Sequence, residues 1–431
     1  MPGWRGARAF KKIGLAVKTV RPIGLFGVLA APDYRRYLLG QAICLLGDQM
    51  APLALAFAVL GLTRSVGDLS LVLAGNAVAG VVFLPAAGVL ADRLSRHRVM
   101  LWADGAQMLV TGALGALIVA GRPAIGVIAA LAAAQGAADA LFQPAAAGLV
   151  PALVPAARLA EANTLVQVTG AATRVAGPAM AGILVATAGP GWAILAGAAC
   201  FGAGLVPLAR LRARRVLRPG RPAWAEDLRA GWAAFRERTW LWATAAGMLA
   251  ASFAFAVTVV LAPVASVRYY DGAATWSTIM AVGAAGSVAG GLATARLRPR
   301  RPMRWALPGA ACFGLTPLAL AAGLPTAAVA ILAAVGETGL LVSTRLYLTA
   351  VQEALPEEVL SRVCAIDSVG SMAVFPLGLA CAGPLAQAVT PRPALALSGL
   401  LIMLPALALL VVPSVRNLTR PSDVKDGHMV V

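Results

Sequence analysis

Apolar residues run through this chain in long stretches, and the polar residues gather between them. Twelve stretches hold about 18 or more residues with few charges, close to the roughly 20 apolar residues with which a helix crosses a bilayer. Barrel strands would instead alternate polar and apolar residues over about ten positions. The pattern predicts an all-α polytopic membrane protein with twelve transmembrane helices. These spans are predicted at residues 37–62, 69–90, 99–120, 124–148, 164–188, 190–209, 240–266, 276–295, 305–323, 326–350, 364–388 and 394–413.

The distribution of basic residues predicts the orientation. The chain has a net charge of +18, which alone would permit nucleic-acid binding. However, the connections that fall on one side of the twelve spans hold 30 Lys and Arg residues, and those on the other side hold four. The positive-inside rule then places both termini in the cytoplasm. We expect contact with anionic lipid rather than nucleic acid. The preference for Arg over Lys and the abundance of Ala suggest the inner membrane of a GC-rich bacterium.

Internal similarity predicts two related halves. The segment GVLADRLSRHR at 88–98 aligns without gaps to GLATARLRPRR at 291–301, an offset of 203, and 155–163 falls against 356–364, an offset of 201. Parallel repeats of six spans are one plan of secondary transporters. We therefore expect two pseudo-symmetric six-helix bundles joined by the longest connection. The predicted domains are a basic cytoplasmic tail (1–36), an N-terminal bundle (37–209), a cytoplasmic linker (210–239), a C-terminal bundle (240–413) and a cytoplasmic tail (414–431).

Two motifs carry a resemblance to a known family. The loop after span 2 has the pattern G-x-L-x-D-R-x-x-R, from Gly88 through Asp92 and Arg93 to Arg96, and span 5 contains VAGPAMAG with Gly177, Pro178 and Gly182. With them, the chain resembles the major facilitator superfamily over residues 35–413. Three further segments, LLGQAICLLGD at 38–48, ADALFQPA at 138–145 and RVAGPA at 174–179, are similar to the third group of drug/proton antiporters, the macrolide and enterobactin exporters. Ser95 departs from the loop pattern, where glycine is usual, and Ala181 replaces one glycine of the exporter motif.

The resemblance gives the loop motif a mechanical role. Gly88 would let span 2 approach a helix of the other half, and Asp92 at the helix end could accept from the N-terminus of an opposing helix. Arg93 and Arg96 could hold nearby carboxylates, with Asp104 as a partner. We expect a latch that favours the outward-facing state. The gap-free alignment sets Ala295 against Asp92, which predicts that the latch is one-sided.

Charged residues inside the spans are the candidates for mechanism. An ionised side chain at a helix centre costs about 2.5–3.5 kcal/mol on insertion scales, so it needs a partner, a water-filled cavity or a proton. Asp48, Asp139 and Arg174 lie at similar depth near the midplane, and Glu337 lies in mid-span 10. We expect Asp48 or Asp139 to bind a proton and release it when Arg174 approaches. The alternative is a permanent Asp–Arg pair that fixes helix packing.

One departure affects the coupling mechanism. Many drug antiporters of the superfamily carry R-x-x-Q-G in span 4, whereas this chain has Ala132 at the arginine position, before Gln135 and Gly136. Asp139 and Arg174 would have to substitute for it. The glycine-rich segments 74–80 and 283–291 contain no nucleotide-binding motif. Small residues there instead permit close helix approach.

The favoured function is proton-coupled efflux of a small hydrophobic compound, such as a drug, antibiotic or siderophore, by a monomer. A lysophospholipid or lipid flippase of the same fold and an uptake symporter stay open as alternatives. An enzyme is disfavoured, because two histidines and no catalytic constellation are present. We expect no cofactor and no metal site. The five cysteines all lie in apolar spans, as small buried residues do.

Overall fold

The computed structural model describes residues 27–121, 123–155, 158–211, 238–294, 297, 299–354 and 357–418. Within these ranges the regular structure is helical, as the apolar runs predict. Most of the predicted N-terminal tail, most of the predicted linker and most of the predicted C-terminal tail lie outside the described residues.

Twelve helical segments correspond to the twelve predicted spans. Among the described residues, eleven helices are long and apolar enough to cross a membrane. The ninth segment is divided in two at Phe313 and Gly314, with Pro308 and Pro317 on either side. The helices are α1 (Pro32–Thr63), α2 (Val66–Arg93), α3 (Arg96–Val119), α4 (Ile125–Leu153), α5 (Leu159–Thr187), α6 (Pro190–Ala209), α7 (Thr239–Tyr269), α8 (Ala273–Thr294), α9a (Met303–Cys312), α9b (Leu315–Ala321), α10 (Thr326–Ala354), α11 (Glu357–Val389) and α12 (Pro391–Ala408).

Local sequence explains several helix ends. Three of these helices begin with a proline, at Pro32, Pro190 and Pro391. At the first position of a helix the backbone N–H that proline lacks would have no partner within the helix. The hydroxyl of Ser65 accepts a hydrogen bond from the backbone N–H of Asp68 at 3.1 Å and caps α2. Because Pro32 sets the start of α1, this helix begins five residues before the predicted span.

The helices pack as two related groups of six. In the first group α1 packs on α5 and α6, α2 on α4, and α3 on α4 and α6. The same pairings recur in the second group, where α7 packs on α11 and α12, α8 on α10, and the α9 segments on α10 and α12. This repetition is the pattern of two pseudo-symmetric six-helix bundles.

The helix starts give the register of the repeat. The first three helices of each half, α1 to α3 and α7 to α9a, begin at a constant offset of 207 in residue number. For α4 and α10, and for α6 and α12, the offset is 201. The gap-free alignment at an offset of 203 covers the end of α2 and the connection after it. No single offset holds there, because α2 and α8 end 201 residues apart and α3 and α9a begin 207 residues apart. This alignment therefore stays a prediction.

The two halves touch through α2 with α11 and α5 with α8. We call the face that holds residues 27 and 418 the terminal face, and the other the opposite face. Close approaches between halves lie near the opposite face, where Gly67 and Ser70 of α2 meet Gly383 of α11, and Gly182 of α5 meets Ser277 of α8. These contacts close the space between the halves at that face.

Burial follows the same division. One buried apolar cluster joins both halves towards the opposite face, with Leu60 and Leu69 from the first half and Leu261 and Leu379 from the second. Towards the terminal face, the described buried apolar residues instead form a separate cluster in each half. The cavity between the halves therefore opens at the terminal face.

Glycines allow the closest helix crossings, as the glycine-rich segments predict. A Cβ at Gly136 of α4 would overlap the backbone of Asn76 on α2. The side-chain amide of Asn76 donates to the carbonyl of Ala132 at 2.8 Å. In the second half the same crossing has the glycine on the other helix, because Gly283 of α8 faces Glu337 of α10.

Candidate functional site

Three carboxylates line one small pocket inside the N-terminal bundle. Asp48 comes from α1, Asp104 from α3 and Asp139 from α4, and Gln107 of α3 lies among them. Asp48 lies midway between the two ends of α1, so the pocket is at mid-membrane depth. Asp48 and Asp139, which the sequence set at similar depth, are thus brought together. The remaining lining residues are Cys44, Leu45, Phe142 and Phe201.

The three carboxylates differ in exposure and in hydrogen bonding. Asp139 is exposed and Asp48 half-buried, whereas Asp104 is 1% exposed. The side-chain amide of Gln49 donates to Asp48 at 3.1 Å, and the amide of Gln107 interacts with Asp139. Both carboxyl oxygens of Asp104 lack a hydrogen-bond partner among the described residues.

The predicted pairing of Asp104 with Arg96 was therefore wrong, and the side chain of Arg93 lies outside the described residues. Asp104 lies eight residues into α3, about 12 Å along the helix from Arg96. Its side chain faces Cys44 and Asp48 inside the bundle rather than the loop. The distance along the helix and the direction of the side chain together keep the Asp104 carboxylate away from Arg96.

Polar side chains reach the pocket along one face of α1. Tyr34, Tyr37, Gln41, Cys44 and Asp48 are spaced by three or four residues, so they lie on one face of this helix. All except Asp48 are buried. The spacing is visible in the sequence and could have indicated a polar face turned into the bundle.

A second polar face lies on α3 and was also missed. Asp104, Gln107 and Thr111 follow one another at three and four residues and are buried. Each has a side-chain oxygen without a hydrogen-bond partner among the described residues. Inside a membrane-spanning bundle, unpartnered acceptors of this kind point to bound water or a proton.

Arg174 is not part of the acidic pocket. Its exposed side chain interacts electrostatically with Glu337 of the other half, although the two form no direct ion pair. Glu337 packs against α8 at Gly283, because its Cγ lies 3.4 Å from where a Cβ of that glycine would be. In this state Arg174 faces a carboxylate across the cavity rather than Asp48 or Asp139.

An aromatic group occupies the corresponding region of the C-terminal bundle. Phe255 of α7 stands at the position equivalent to Asp48 of α1 when the starts of the two helices are superposed. Its ring centroid is 5.2 Å from that of Phe313 and 6.0 Å from that of Phe375. Phe255 is 38% exposed. The corresponding regions of the two bundles therefore differ in chemistry, with acids in one and aromatic rings in the other.

The Gly-Pro motif of span 5 touches both α1, beside the pocket, and the other half. Gly177 packs on Gln49, since a Cβ at this glycine would lie 2.5 Å from the Cβ of Gln49. One turn further, Gly182 packs on Ser277 of α8. Pro178 is buried between them. The motif thus connects the amide partner of Asp48 to the contact that closes the opposite face.

The predicted latch lies in a tight connection between α2 and α3. The surroundings of Gly88 and the side chains of Asp92 and Arg93 lie outside the described residues. Ser95, where the family pattern has glycine, adopts φ −68° and ψ 125°, which any residue can adopt. His97 of the same connection contacts the carbonyl of Leu208 through Nε2 at 2.7 Å and links α3 to α6.

The described part of the chain offers no preformed metal-binding site. Among these residues, no group of three or more His, Cys, Asp or Glu side chains is arranged to hold a metal ion. The described cysteines, Cys44, Cys200, Cys312 and Cys381, are free thiols.

The chain forms two six-helix bundles around a cavity that is closed at one membrane face, and ionisable groups lie at mid-depth. This combination is typical of membrane transporters for small molecules. The sequence model of the Major Facilitator Superfamily matches residues 37–378, and the chain belongs to this family. The family places it among transporters rather than enzymes.

Similar proteins cover nearly the whole chain. The enterobactin exporter EntS of Citrobacter koseri is 27% identical over 414 residues, which are 92% of this chain and 95% of the exporter. The crystal structure of the nucleoside transporter NupG matches with a TM-score of 0.68 at 12% identity, over 88% of this chain and 98% of that one. A bacterial homologue of the human lysosomal transporter Spinster, in an inward-facing and unoccupied conformation, matches with a TM-score of 0.63 at 15% identity, over 92% and 99%.

Proposed function

We propose that this protein is a proton-coupled exporter of a small hydrophobic compound, such as a drug, an antibiotic or a siderophore. It works as a monomer by alternating access between the two halves. Protons returning down their gradient drive export, and a membrane potential of 100 mV supplies about 2.3 kcal/mol per charge moved. The observation that carries the proposal is the pair of carboxylates Asp48 and Asp139 in one mid-membrane pocket.

The coupling chemistry follows from the surroundings of this pair. No basic side chain lines the pocket in the described part of the chain, so two adjacent carboxylates cannot both be ionised without a large cost. A proton is the simplest ligand that removes this cost. Because Asp139 is exposed, the proton exchanges with water in the cavity. Arg174 and Glu337 form the charged groups of the substrate cavity itself.

The exposed ring of Phe255 favours an apolar substrate group. An aromatic wall binds apolar or aromatic groups by burial and stacking. The 27% identity to an enterobactin exporter supports enterobactin as a candidate substrate. Enterobactin is therefore the first compound to test.

Two motifs set the conformational cycle in this proposal. Gly177, Pro178 and Gly182 hold α5 against α1 and α8, so opening of the opposite face needs a movement of α5. Gly88, Asp92, Arg93 and Arg96 close the terminal face in the other state. The basic connections put the terminal face in the cytoplasm of a bacterial inner membrane. The state described above is then open to the cytoplasm.

Export in cells tests the function. A host without its own drug and siderophore exporters would express the wild type, Asp48→Asn, Asp139→Asn or the control Asp271→Asn, which changes an exposed acid on the α7–α8 connection. We expect wild type and control to lower the accumulation of enterobactin or a lipophilic antibiotic. Both pocket variants and an uncoupler should abolish this, at equal protein levels in the membrane. Normal export by both variants, with and without the uncoupler, would refute proton coupling.

A further inference from the structure

Asp104 of α3 is a buried acid to which the proposed function gives no role. It is 1% exposed, it lies between α1, α4 and α6, and both of its carboxyl oxygens lack a partner among the described residues. Water or hydrogen-bonded partners ordinarily satisfy a buried carboxylate. A buried carboxylate that receives no hydrogen bond from the described residues needs a ligand.

The neighbours of Asp104 identify that ligand. Acidic groups face it from each helix packed against α3: Tyr37, Cys44 and Asp48 of α1, and Asp139 of α4. Cys200 of α6 lies beyond Cys44. No basic group faces it in the described part of the chain. The pocket also fails to offer three ligands arranged for a metal ion. A proton satisfies Asp104 without a coordination shell.

The amides of the pocket divide the three acids into two kinds. Gln49 donates to Asp48, and Gln107 interacts with Asp139, so each of these two carboxylates has an N–H group that stabilises its ionised form. Asp104 has none. The thiol of Cys44 lies beside Asp104, but no amide among the described residues donates to it, so an ionised Asp104 lacks the N–H donor that the other two carboxylates have.

We propose that Asp104 is a third proton-carrying residue, which holds a proton inside the bundle and passes it to Asp48. In this step the O–H bond of the Asp104 carboxyl group breaks and its electron pair stays on Asp104. A new O–H bond forms on the Asp48 carboxylate, so the charge of the pocket is unchanged. The inference rests on the proposed proton coupling, to which it adds a store that substrate in the cavity cannot displace.

The interior of the pocket has the features this transfer needs. Its free volume admits about one water molecule. Gln107 is 2% exposed, and its side-chain oxygen accepts no hydrogen bond among the described residues, so it can accept from such a water or from the protonated acid. One water between Asp104 and Asp48 completes a path for the proton.

Infrared spectroscopy of the purified protein tests the stored proton without a substrate. At neutral pH we expect a carbonyl stretching band of a buried protonated carboxylic acid. One component of the band should disappear in Asp104→Asn, move in frequency in Asp104→Glu and stay unchanged in Asp271→Asn, whereas the component from the proton shared by Asp48 and Asp139 should remain in all three variants. A wild type without the band, or a band that persists unchanged in both Asp104 variants, would overturn the proposal. If Asp104→Asn does not fold, the shift in Asp104→Glu decides.

A transport assay tests the transfer. In proteoliposomes with enterobactin or the antibiotic exported by cells, Asp104→Asn should lower transport driven by a pH gradient about tenfold, with downhill exchange kept within about twofold. Asp104→Glu should restore part of the driven transport. Full gradient-driven transport by Asp104→Asn would overturn the relay. A wild type that ignores the pH gradient would instead refute the proposed function, and the infrared band would still test the proton on Asp104.

Discussion

At the scale of single residues, the crossing of α2 and α4 depends on the missing side chain of Gly136. The backbone of Asn76 occupies the space that a Cβ would need, and it cannot swing away as a flexible side chain would. The Asn76 amide adds a hydrogen bond to the carbonyl of Ala132 at the same crossing. Contact between backbones of this kind is typical of helices that pack through small residues in membranes.

We therefore predict that Gly136→Ala destabilises the protein. Overpacking against an unyielding neighbour costs about 1–3 kcal/mol, which should appear as a lower midpoint of thermal unfolding in detergent. Gly105→Ala of α3 is the matched control, because a Cβ there meets nothing within 4 Å. Alanine favours a helix over glycine, so this control should unfold at the same or a higher temperature. Equal loss in both variants would contradict the account.

Single residues also show the limits of prediction from sequence. Asp48 and Asp139 were identified as candidate functional residues because an acidic side chain in the middle of a transmembrane span is rare and energetically costly. Asp104 was interpreted as a loop partner, since it lies only eight residues after the basic connection. The direction of its side chain depends on how α3 packs on α1, α4 and α6, and that packing is not local. Gln49 and Gln107 were missed for the same reason.

At the scale of helices, the contact of α5 with α8 closes the opposite face. Gly182 is buried against Ser277, five residues from the end of α5 and four after the start of α8. The absence of a side chain on Gly182 lets the two helices meet at this depth. Separation of the halves at the opposite face has to break this contact.

We predict that Gly182→Leu wedges α5 away from α8 and increases access from the opposite face. The measurement is the rate at which a membrane-impermeant thiol reagent modifies a single cysteine introduced at Ser277. Relative to the protein with Gly182, the rate should rise several-fold. Ala172→Leu, on an exposed face of the same helix, should leave it unchanged. An unchanged rate in Gly182→Leu would show that this contact does not seal the face.

The helices themselves were largely predictable from the sequence. Runs of apolar residues have the length that a bilayer imposes, and each of the twelve runs corresponds to a helical segment. The break between α9a and α9b was missed because residues 305–323 are apolar on both sides of it. Gly314 meets Gly399 of α12 at the break, so a partner helix shapes this segment.

At the scale of the whole molecule, Arg174 and Glu337 link the two halves across the cavity. They attract each other in the state that is open at the terminal face, without forming a direct ion pair. A contact present in one state and altered in the other biases the equilibrium between the states. We therefore expect this pair to contribute to the stability of the open form.

We predict that Arg174→Glu and Glu337→Arg each lower thermal stability and that the double reversal recovers part of it. The coupling energy should be about 0.5–2 kcal/mol, as for charges that interact within a shared site. Thermal unfolding of the four proteins in detergent gives this energy directly. Strictly additive effects would mean that the two charges do not interact.

The proposed latch acts in the other state. Loss of the acid in Asp92→Asn should weaken closure at the terminal face and shift molecules towards the open form described above. Distances between spin labels at positions 98 and 301, which are exposed and lie one in each half, report this opening. We expect the longer distance to gain population, with membrane insertion unchanged. An unaltered distance distribution would refute the latch.

Transport into proteoliposomes under an imposed pH gradient is the decisive test of whether protons drive export through the acidic pocket. Wild-type protein should accumulate enterobactin, or the antibiotic exported by cells, against its own gradient, and reversal of the pH gradient should reverse the flux. Asp48→Asn should permit only downhill movement. Accumulation that persists without a pH gradient, or that survives Asp48→Asn and Asp139→Asn together, would contradict the account.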